Sequence, residues 1–271
     1  MSRLQLANLD ANGAAIVEAW VEQVYRPNPA FWEGYLGGEQ AFRQWAQKVS
    51  LKDDPRRGIP SIRDLSRDIR DVTVRAARLA RRPVPCGDWT IVFGPGWTNL
   101  GGMGKLGMVV DFLGMPRSRT LGDFDDYLPH EVNHLIWRAA RGEAGAGTLL
   151  ERMIDEGFAT YFAQVYSRGR MSPSQTLGYT EAELQWALSH EARLWREAAP
   201  HLGSTDRAVL HRYTAAGARP EPAAPGKLGY FLGYRIVQAY VAKHGPNSWR
   251  DLYDMPLDRI VNTSGYGRAP A

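Results

Sequence analysis

The sequence His130-Glu131-Val132-Asn133-His134 places two histidines four residues apart, with a glutamate beside the first. On a helix, residues four apart lie on one face, so both imidazoles can bind the same metal ion. The carboxylate of Glu131 then stands where it can take a proton from a water molecule on that ion. This spacing predicts a metal site with a general base next to it.

A third ligand is expected from a second helix, because catalytic zinc sites use three protein ligands and leave one coordination position open. The segment from Thr148 to Phe162 has an apolar side with helical spacing and contains Glu156. The glycines between Gly142 and Gly147 permit an antiparallel return, and the small residues Gly157 and Ala159 permit a close approach. Glu156 is therefore the candidate third ligand, and two other carboxylates of the same segment come next, Glu151 and Asp155.

The composition limits both the class of protein and the chemistry of a metal site. With 271 residues, 44% of them hydrophobic, the chain is typical of a globular protein. The single cysteine, Cys86, excludes an internal disulfide and a cysteine-based zinc finger, so the ligands have to be histidines and carboxylates. No apolar run is long enough to predict a transmembrane helix, and residues 1–13 do not resemble a secretory signal. We therefore expect a cytoplasmic protein without a membrane span.

Positive charge is the feature of the composition that suggests a nucleic-acid partner. The formal net charge is +4, and the densest basic stretch runs from Arg63 to Arg82. Its first half interleaves the arginines with Asp64, Asp68 and Asp71, as a solvated helix with ion pairs does. We expect no nucleic-acid partner, and nucleic-acid binding by this stretch is the less favoured alternative.

The spacing of apolar residues predicts a mainly helical α+β fold. Helical spacing occurs in five segments: 11–82, 126–141, 148–168, 180–199 and 227–244. Two short segments rich in β-branched and aromatic residues, 89–93 and 106–113, are predicted strands, and the glycine-rich stretch 94–104 between them is a predicted tight loop. The expected organisation is an N-terminal helical region, residues 1–85, and a domain over residues 86–268 that contains the small sheet and the metal site.

Three segments together resemble a bacterial family of uncharacterised predicted zinc-dependent proteases within the gluzincin metallopeptidases. These segments are His130 to His134, Glu156 to Phe162, and Gly229 to Val237. The likeness runs from about Trp89 to Tyr266. It implies a zincin-like fold for the second region, which would be the catalytic domain.

The resemblance also implies the roles of the site residues. It makes His130, His134 and Glu156 the ligands of one zinc ion per chain, and Glu131 the catalytic carboxylate. Gluzincins often place an aspartate four residues after the ligand glutamate, where it orients a ligand histidine. This chain has Thr160 there, so Thr160 or a backbone carbonyl is expected to take that part.

A zincin needs a second donor, besides the metal, for the oxyanion of its tetrahedral intermediate, and a later helix usually supplies it. The resemblance suggests Tyr234 and Tyr230, which stand four residues apart on one predicted helix, with His211 and His190 next. Packing of the two tyrosines within the core is an equally favoured interpretation.

The predicted strand 106–113 also has two interpretations. In related folds the strand beside the active-site helix keeps an open edge, which pairs with an extended peptide. Gly107, Met108 and Val109 would then bind the substrate. A core strand without that role is equally favoured.

The chemistry predicted from these residues is zinc-dependent hydrolysis of a peptide bond. Zinc lowers the pKa of its bound water to near 7, Glu131 takes the proton, and the hydroxide attacks a carbonyl that the metal polarises. The chain is thus predicted to be a zinc metallopeptidase, a hydrolase with a peptide or protein substrate. Two alternatives stay open: a catalytically inactive zinc-binding regulatory module, and an HExxH motif that arises by chance on a structural helix.

Overall fold

The computed structural model describes residues 13–48, 62–92, 94, 100–102, 107–111, 121–142 and 147–267. Within these ranges the chain is mainly helical with one small sheet, so the predicted mainly helical α+β class is confirmed. The chain divides into two compact units: residues 1–62 with 87–120, and residues 63–86 with 121–271. No helix in the described ranges is long and apolar enough to cross a membrane.

The first unit begins with short helices that share an aromatic core. They are α1 (Gly13–Trp20), a π-helical segment (Val21–Tyr25), α2 (Pro29–Leu36) and α3 (Glu39–Lys48). Pro29 opens α2 at a position where its missing N–H costs nothing. The buried side chains of Trp32, Tyr35 and Phe42 pack in one cluster with Val92 and Val109 of the sheet.

The sheet has three strands, β1 (Trp89–Val92), β2 (Leu100–Gly102) and β3 (Met108–Asp111). Their order is β1-β3-β2, with β3 parallel to β1 and antiparallel to β2. The segment that forms β2 lies inside the predicted loop 94–104, so this part of the prediction is wrong. Two glycines in three residues give no β-branched signal from which a strand can be predicted.

Strand β3 is the middle strand and forms backbone hydrogen bonds on both sides. Met108 and Val109 are fully buried. The expected open edge at Met108 and Val109 is therefore wrong, and the core interpretation of this strand holds. Gly107 stands just before β3 with a φ of 72°, and a Cβ there would lie 2.7 Å from the Asp88 carbonyl oxygen, so this turn requires glycine.

The second unit is helical. It contains α4 (Ile62–Ala80), α5 (Leu121–Arg141), α6 (Leu149–Tyr166), α7 (Pro173–Leu177), α8 (Glu181–Ser189), α9 (Glu191–Ala198), α10 (Arg207–Thr214), α11 (Leu228–His244) and α12 (Leu257–Ser264), with 3-10 turns at Ala199–His201 and Ser248–Tyr253. The predicted helix 180–199 is interrupted at His190, whose backbone leaves the helical region. The Nδ1 atom of His190 lies 2.8 Å from the main-chain oxygen of Trp186, a local bond that competes with helix continuation.

The division into units differs from the predicted boundary near residue 85. The apolar side of α4 is buried, and the Leu79 carbonyl accepts a hydrogen bond from Arg250 Nε at 2.9 Å. Arg82 pairs with Asp254, with Nη1 and Oδ1 2.9 Å apart. These contacts join α4 and the residues after it to the later helices, while the sheet shares its core with the N-terminal helices. The predicted boundary follows the change from helical to strand pattern. The compact units instead follow from contacts between segments that are far apart in the sequence.

Helices α6 and α11 touch through their backbones. A Cβ on Gly233 would lie 1.7 Å from the Met153 carbonyl oxygen, and a Cβ on Gly157 would lie 2.1 Å from the Gly233 carbonyl carbon. Only glycine fits at either position. Gly157 thus allows α6 to approach α11, and not the HExxH helix α5 as the sequence suggested.

Candidate metal centre

Helices α5 and α6 bring the candidate ligands together. Helix α5 presents His130 and His134 one turn apart. Helix α6 begins after Thr148, whose side-chain oxygen accepts the Glu151 N–H at 3.3 Å. The Glu151 carboxylate in turn accepts the Gly147 N–H at 2.7 Å, so Glu151 belongs to the helix start and not to the metal ligands. Seven residues after Glu151, α6 packs against α5, where the rings of Phe158 and Trp137 meet edge to face with centroids 5.6 Å apart.

Three donor atoms converge between the two helices. The Nε2 atoms of His130 and His134 lie 3.2 Å apart, and Oε2 of Glu156 lies 3.2 Å from the first and 3.3 Å from the second. An ion held tetrahedrally by bonds of about 2.0–2.1 Å separates its ligand atoms by about 3.3 Å. The donors therefore form the nearly equilateral face that a zinc ion requires, and the three predicted ligands are brought together. Among the described residues this is the one cluster of histidine, cysteine and carboxylate groups with such spacing.

Asp155 holds the second nitrogen of a ligand histidine. Its Oδ1 atom lies 2.7 Å from Nδ1 of His134, whose side chain is only 7% exposed. A carboxylate in this position fixes the tautomer and the orientation of the imidazole that faces the metal. The sequence instead suggested Thr160 or a backbone carbonyl for this part, and Thr160 donates its hydroxyl to the Glu156 main-chain oxygen at 2.9 Å. The sequence indicated Asp155 only as an alternative metal ligand. Whether its side chain reaches the metal or the back of His134 depends on how α6 is rotated against α5, which the sequence does not show.

The charges in this cluster shift the titration of its members. Burial alone would raise the pKa of Glu156, but the charge of His134 and hydrogen bonds from both imidazoles hold that pKa well below its usual value. Burial alone would lower the pKa of His134, but the charges of Asp155 and Glu156 and their hydrogen bonds raise that pKa well above its usual value. Without a metal, these carboxylates at the two ring nitrogens thus favour the imidazolium form of His134. A divalent cation would take the place of the proton at Nε2 and leave the Nδ1–H bonded to Asp155.

Glu131 stands beside this cluster and is partly exposed. The atoms packed around its carboxylate raise its pKa, and the positive charges of His130, His134 and Lys227 offset only part of that effect. A carboxylate with a raised pKa is better suited to accept and return a proton. The predicted role of Glu131 as a general base stays a prediction.

Only one of the two candidate tyrosines lies at the ligands. The ring of Tyr230 is parallel to that of His130, with centroids 6.4 Å apart and an interplanar angle of 6°. Burial and the nearby charge of Glu156 raise the pKa of Tyr230. Tyr230 is therefore placed beside the metal site, and its predicted role as an oxyanion donor stays a prediction.

Tyr234, one turn further along α11, bonds elsewhere. Its hydroxyl donates to Gln164 Oε1 at 2.7 Å and accepts from Gln238 Nε2 at 2.8 Å. The side chain is buried, and this burial raises the pKa of Tyr234 to about 12. With both functions of its hydroxyl satisfied away from the ligands, Tyr234 agrees with the core interpretation.

Neither of the two further oxyanion candidates lies at the ligands in the described part of the chain. His211 is exposed on α10. His190 stacks on Trp186, with ring centroids 4.2 Å apart.

The sequence analysis missed Lys227, which immediately precedes α11 in a left-handed conformation with a φ of 53°. Its Nζ atom lies 5.0 Å from the centroid of the Tyr230 ring, and its charge acts on Glu131. Lys227 and Tyr230 are three positions apart at the start of the predicted helix 227–244, a spacing that places two side chains on one face of a helix. This spacing was the signal that could have indicated the contact.

Comparison with known proteins gives a family different from the expected one. The profile of the family described as gliding motility protein GldB matches residues 125–268, which include His130, His134 and Glu156. No curated protein and no solved structure matches the chain.

This match corrects the functional interpretation of the sequence. The resemblance to predicted zinc-dependent proteases is wrong, and so is the prediction of peptide-bond hydrolysis by a metallopeptidase that rested on it. The HExxH motif and the Glu156 segment bring three candidate metal ligands together on two helices. They do not specify the reaction or process that the site serves.

Proposed function

Since the chain belongs to the family of the gliding motility protein GldB, we propose that it serves gliding motility and does so with one zinc ion bound by His130, His134 and Glu156. The family supports the role in motility. The observation that carries the metal is the triangle of donor atoms, with sides of 3.2, 3.2 and 3.3 Å.

The chemistry of the donors favours zinc. Two imidazole nitrogens with one carboxylate oxygen form a ligand set that zinc accepts in tetrahedral sites with one open position. Asp155 adds the carboxylate that a ligand histidine usually has behind it. We propose a zincin-like arrangement for α5 and α6 alone.

The consequence of binding is a link between two helices. His130 and His134 belong to α5, and Glu156 belongs to α6. A bound zinc ion supplies two positive charges among carboxylates, and it stabilises the folded chain by about 2.7 kcal/mol when its free concentration is 100 times its dissociation constant. His134 gives up its Nε2 proton on binding, while Asp155 keeps the Nδ1 proton in place.

Elemental analysis of the purified full chain tests the metal. We expect about one zinc per chain in the wild type and none in His134→Ala and Glu156→Ala. His244→Ala is the matched control, because His244 is an exposed histidine at the end of α11. Zinc retained by both ligand variants, or no zinc even after reconstitution of the wild type, would contradict the proposed site.

Spreading of the host cells on a surface tests the role in motility. We expect spreading to be lost when the gene is deleted, and to be restored by the wild-type chain but not by Glu156→Ala. Equal amounts of folded wild-type and variant protein are the required control. Normal spreading of the deletion strain would contradict the role in motility, whatever the zinc analysis shows.

A further inference from the structure

A cationic side chain lies next to the metal site without a carboxylate partner among the described residues. The Lys227 ammonium stands over the ring of Tyr230, with Nζ 5.0 Å from the centroid. No described carboxylate forms an ion pair with it, although its charge acts on Glu131. An ammonium group in this setting retains hydrogen-bond donors for a further acceptor.

Tyr230 connects this ammonium to the ligands. One face of its ring receives Lys227, and its plane is parallel to the imidazole of His130, with the ring centroids 6.4 Å apart. Through the Tyr230 ring, Lys227 is therefore placed near a ligand histidine, and its charge also acts on Glu131.

We propose that Lys227 and the open coordination position of the metal together bind an anionic oxygen ligand, a carboxylate or a phosphate group. The inference rests on the proposed zinc site. Three protein ligands leave one position of a tetrahedral ion open, and an oxygen anion that occupies it can accept hydrogen bonds from Lys227. Tyr230 acts as a positioning residue, because its ring lies against Lys227 and parallel to the imidazole of the ligand His130.

A rival explanation is that Lys227 only balances the charge of Glu131. The two explanations differ in what the loss of Lys227 does. If Lys227 contacts the ligand, its removal weakens anion binding, and arginine at the same position restores part of the affinity. If Lys227 only balances Glu131, its removal leaves the affinity for added anions nearly unchanged, because Lys227 then makes no hydrogen bond to the bound anion.

The test uses the full chain loaded with Co²⁺ in place of zinc, because the visible spectrum of Co²⁺ reports on an added ligand. Acetate and inorganic phosphate are titrated separately into the wild type, Lys227→Gln and Lys227→Arg. Lys243→Gln is the control, since Lys243 is an exposed lysine on the same helix that bonds to the Thr263 carbonyl.

We expect Lys227→Gln to weaken anion binding by about tenfold or more, the loss typical of a hydrogen bond to a charged group. Lys227→Arg should lie between it and the wild type, and Lys243→Gln should match the wild type. Tighter binding of acetate or of phosphate identifies which anion the site prefers. Co²⁺ affinity should be the same in all four proteins.

Two results would overturn the inference. Equal anion affinity in the wild type and Lys227→Gln, with Co²⁺ bound normally, removes the subsite and leaves the metal site intact. Failure of both Co²⁺ and zinc to bind the wild type removes the metal site and the subsite together.

Discussion

Helix α6 carries two polar clusters that differ in charge. The ligand cluster (His130, His134, Asp155 and Glu156) joins two imidazoles to two carboxylates. The amide cluster (Gln164, Tyr234 and Gln238) is neutral and forms one chain of hydrogen bonds, from Gln238 to the Tyr234 hydroxyl and from that hydroxyl to Gln164.

The two clusters differ in whether their polar groups are satisfied by one another. In the amide cluster the Tyr234 hydroxyl donates one hydrogen bond and accepts another, so it needs no further ligand. In the ligand cluster three donor atoms face one another at 3.2–3.3 Å, and the proton that the raised pKa of His134 favours offsets only one of the two carboxylate charges. Convergence of three donor atoms on one point, and not polarity alone, distinguishes the candidate metal site.

Substitution of Gly233 should damage both clusters, because this residue fixes how α6 and α11 meet. A Cβ there would lie 1.7 Å from the Met153 carbonyl oxygen, so the helices have to separate. We expect Gly233→Ala to lower the free energy of unfolding by about 3 kcal/mol or more, at the upper end for overpacked cores. Denaturant unfolding measures the loss.

Gly203→Ala is the matched control for that substitution. A Cβ on Gly203 meets nothing within 4 Å, and its backbone is not left-handed. Its stability should stay within about 0.5 kcal/mol of the wild type. If Gly233→Ala were equally stable, the backbone contact between α6 and α11 would be refuted.

Substitution of Asp155 should affect the ligand cluster alone. Its carboxylate lies 2.7 Å from Nδ1 of His134, and loss of such a partner lowers metal affinity by about 10–100-fold. We expect this loss in Asp155→Ala, and a smaller loss in Asp155→Asn, whose amide oxygen still accepts the Nδ1–H. Competition with a chelator measures the zinc affinity. Wild-type affinity in Asp155→Ala would show that Asp155 does not position His134.

Removal of the Tyr234 hydroxyl should affect the amide cluster alone. It would remove one hydrogen bond to each of the half-buried amides Gln164 and Gln238, and such a bond contributes about 0.5–1.5 kcal/mol. We therefore expect Tyr234→Phe to be less stable in denaturant unfolding but to bind zinc as the wild type does. A changed zinc affinity would show that the ligand cluster depends on the amide cluster, which contradicts their separation.

The sequence predicts the part of the site that depends on spacing within one helix. The histidines at positions 130 and 134 share a face of any helix, and the apolar pattern placed Glu156 on the next helix. The parts that the sequence missed or left open depend on contacts between distant segments. Asp155 as the partner of His134, Lys227 beside Tyr230, and Tyr234 directed at Gln164 all follow from how α6 and α11 are rotated, and local pattern does not encode that rotation.

The fold shows the same limit. The mainly helical class and most helix positions followed from periodicity, because each is a local property. The middle position of β3 and the grouping of α4 with the later helices are determined by long-range packing. The family was misjudged because the short HExxH and Glu156 segments indicate candidate ligands and not a function.

The pH dependence of stability should be the smallest effect and should depend on the metal. The folded chain raises the pKa of His134 above its ordinary value of 6.5. Protonation of His134 therefore stabilises the metal-free fold fully below about pH 6.5, and this stabilisation is lost as the pH rises through the raised pKa. Thermal unfolding of the metal-free chain at increasing pH should show the loss, and His134→Gln should reduce it. An unchanged pH profile in His134→Gln would contradict the charged state assigned to His134.

X-ray absorption at the zinc edge of the zinc-loaded full chain tests the central claim most directly. The account predicts nitrogen and oxygen ligands at about 2.0–2.1 Å, with the outer-shell signal of two imidazoles. In Glu156→Gln the zinc should be lost or its coordination changed. A sulfur ligand at about 2.3 Å, or a shell without imidazole, would place the metal elsewhere and contradict the site between α5 and α6.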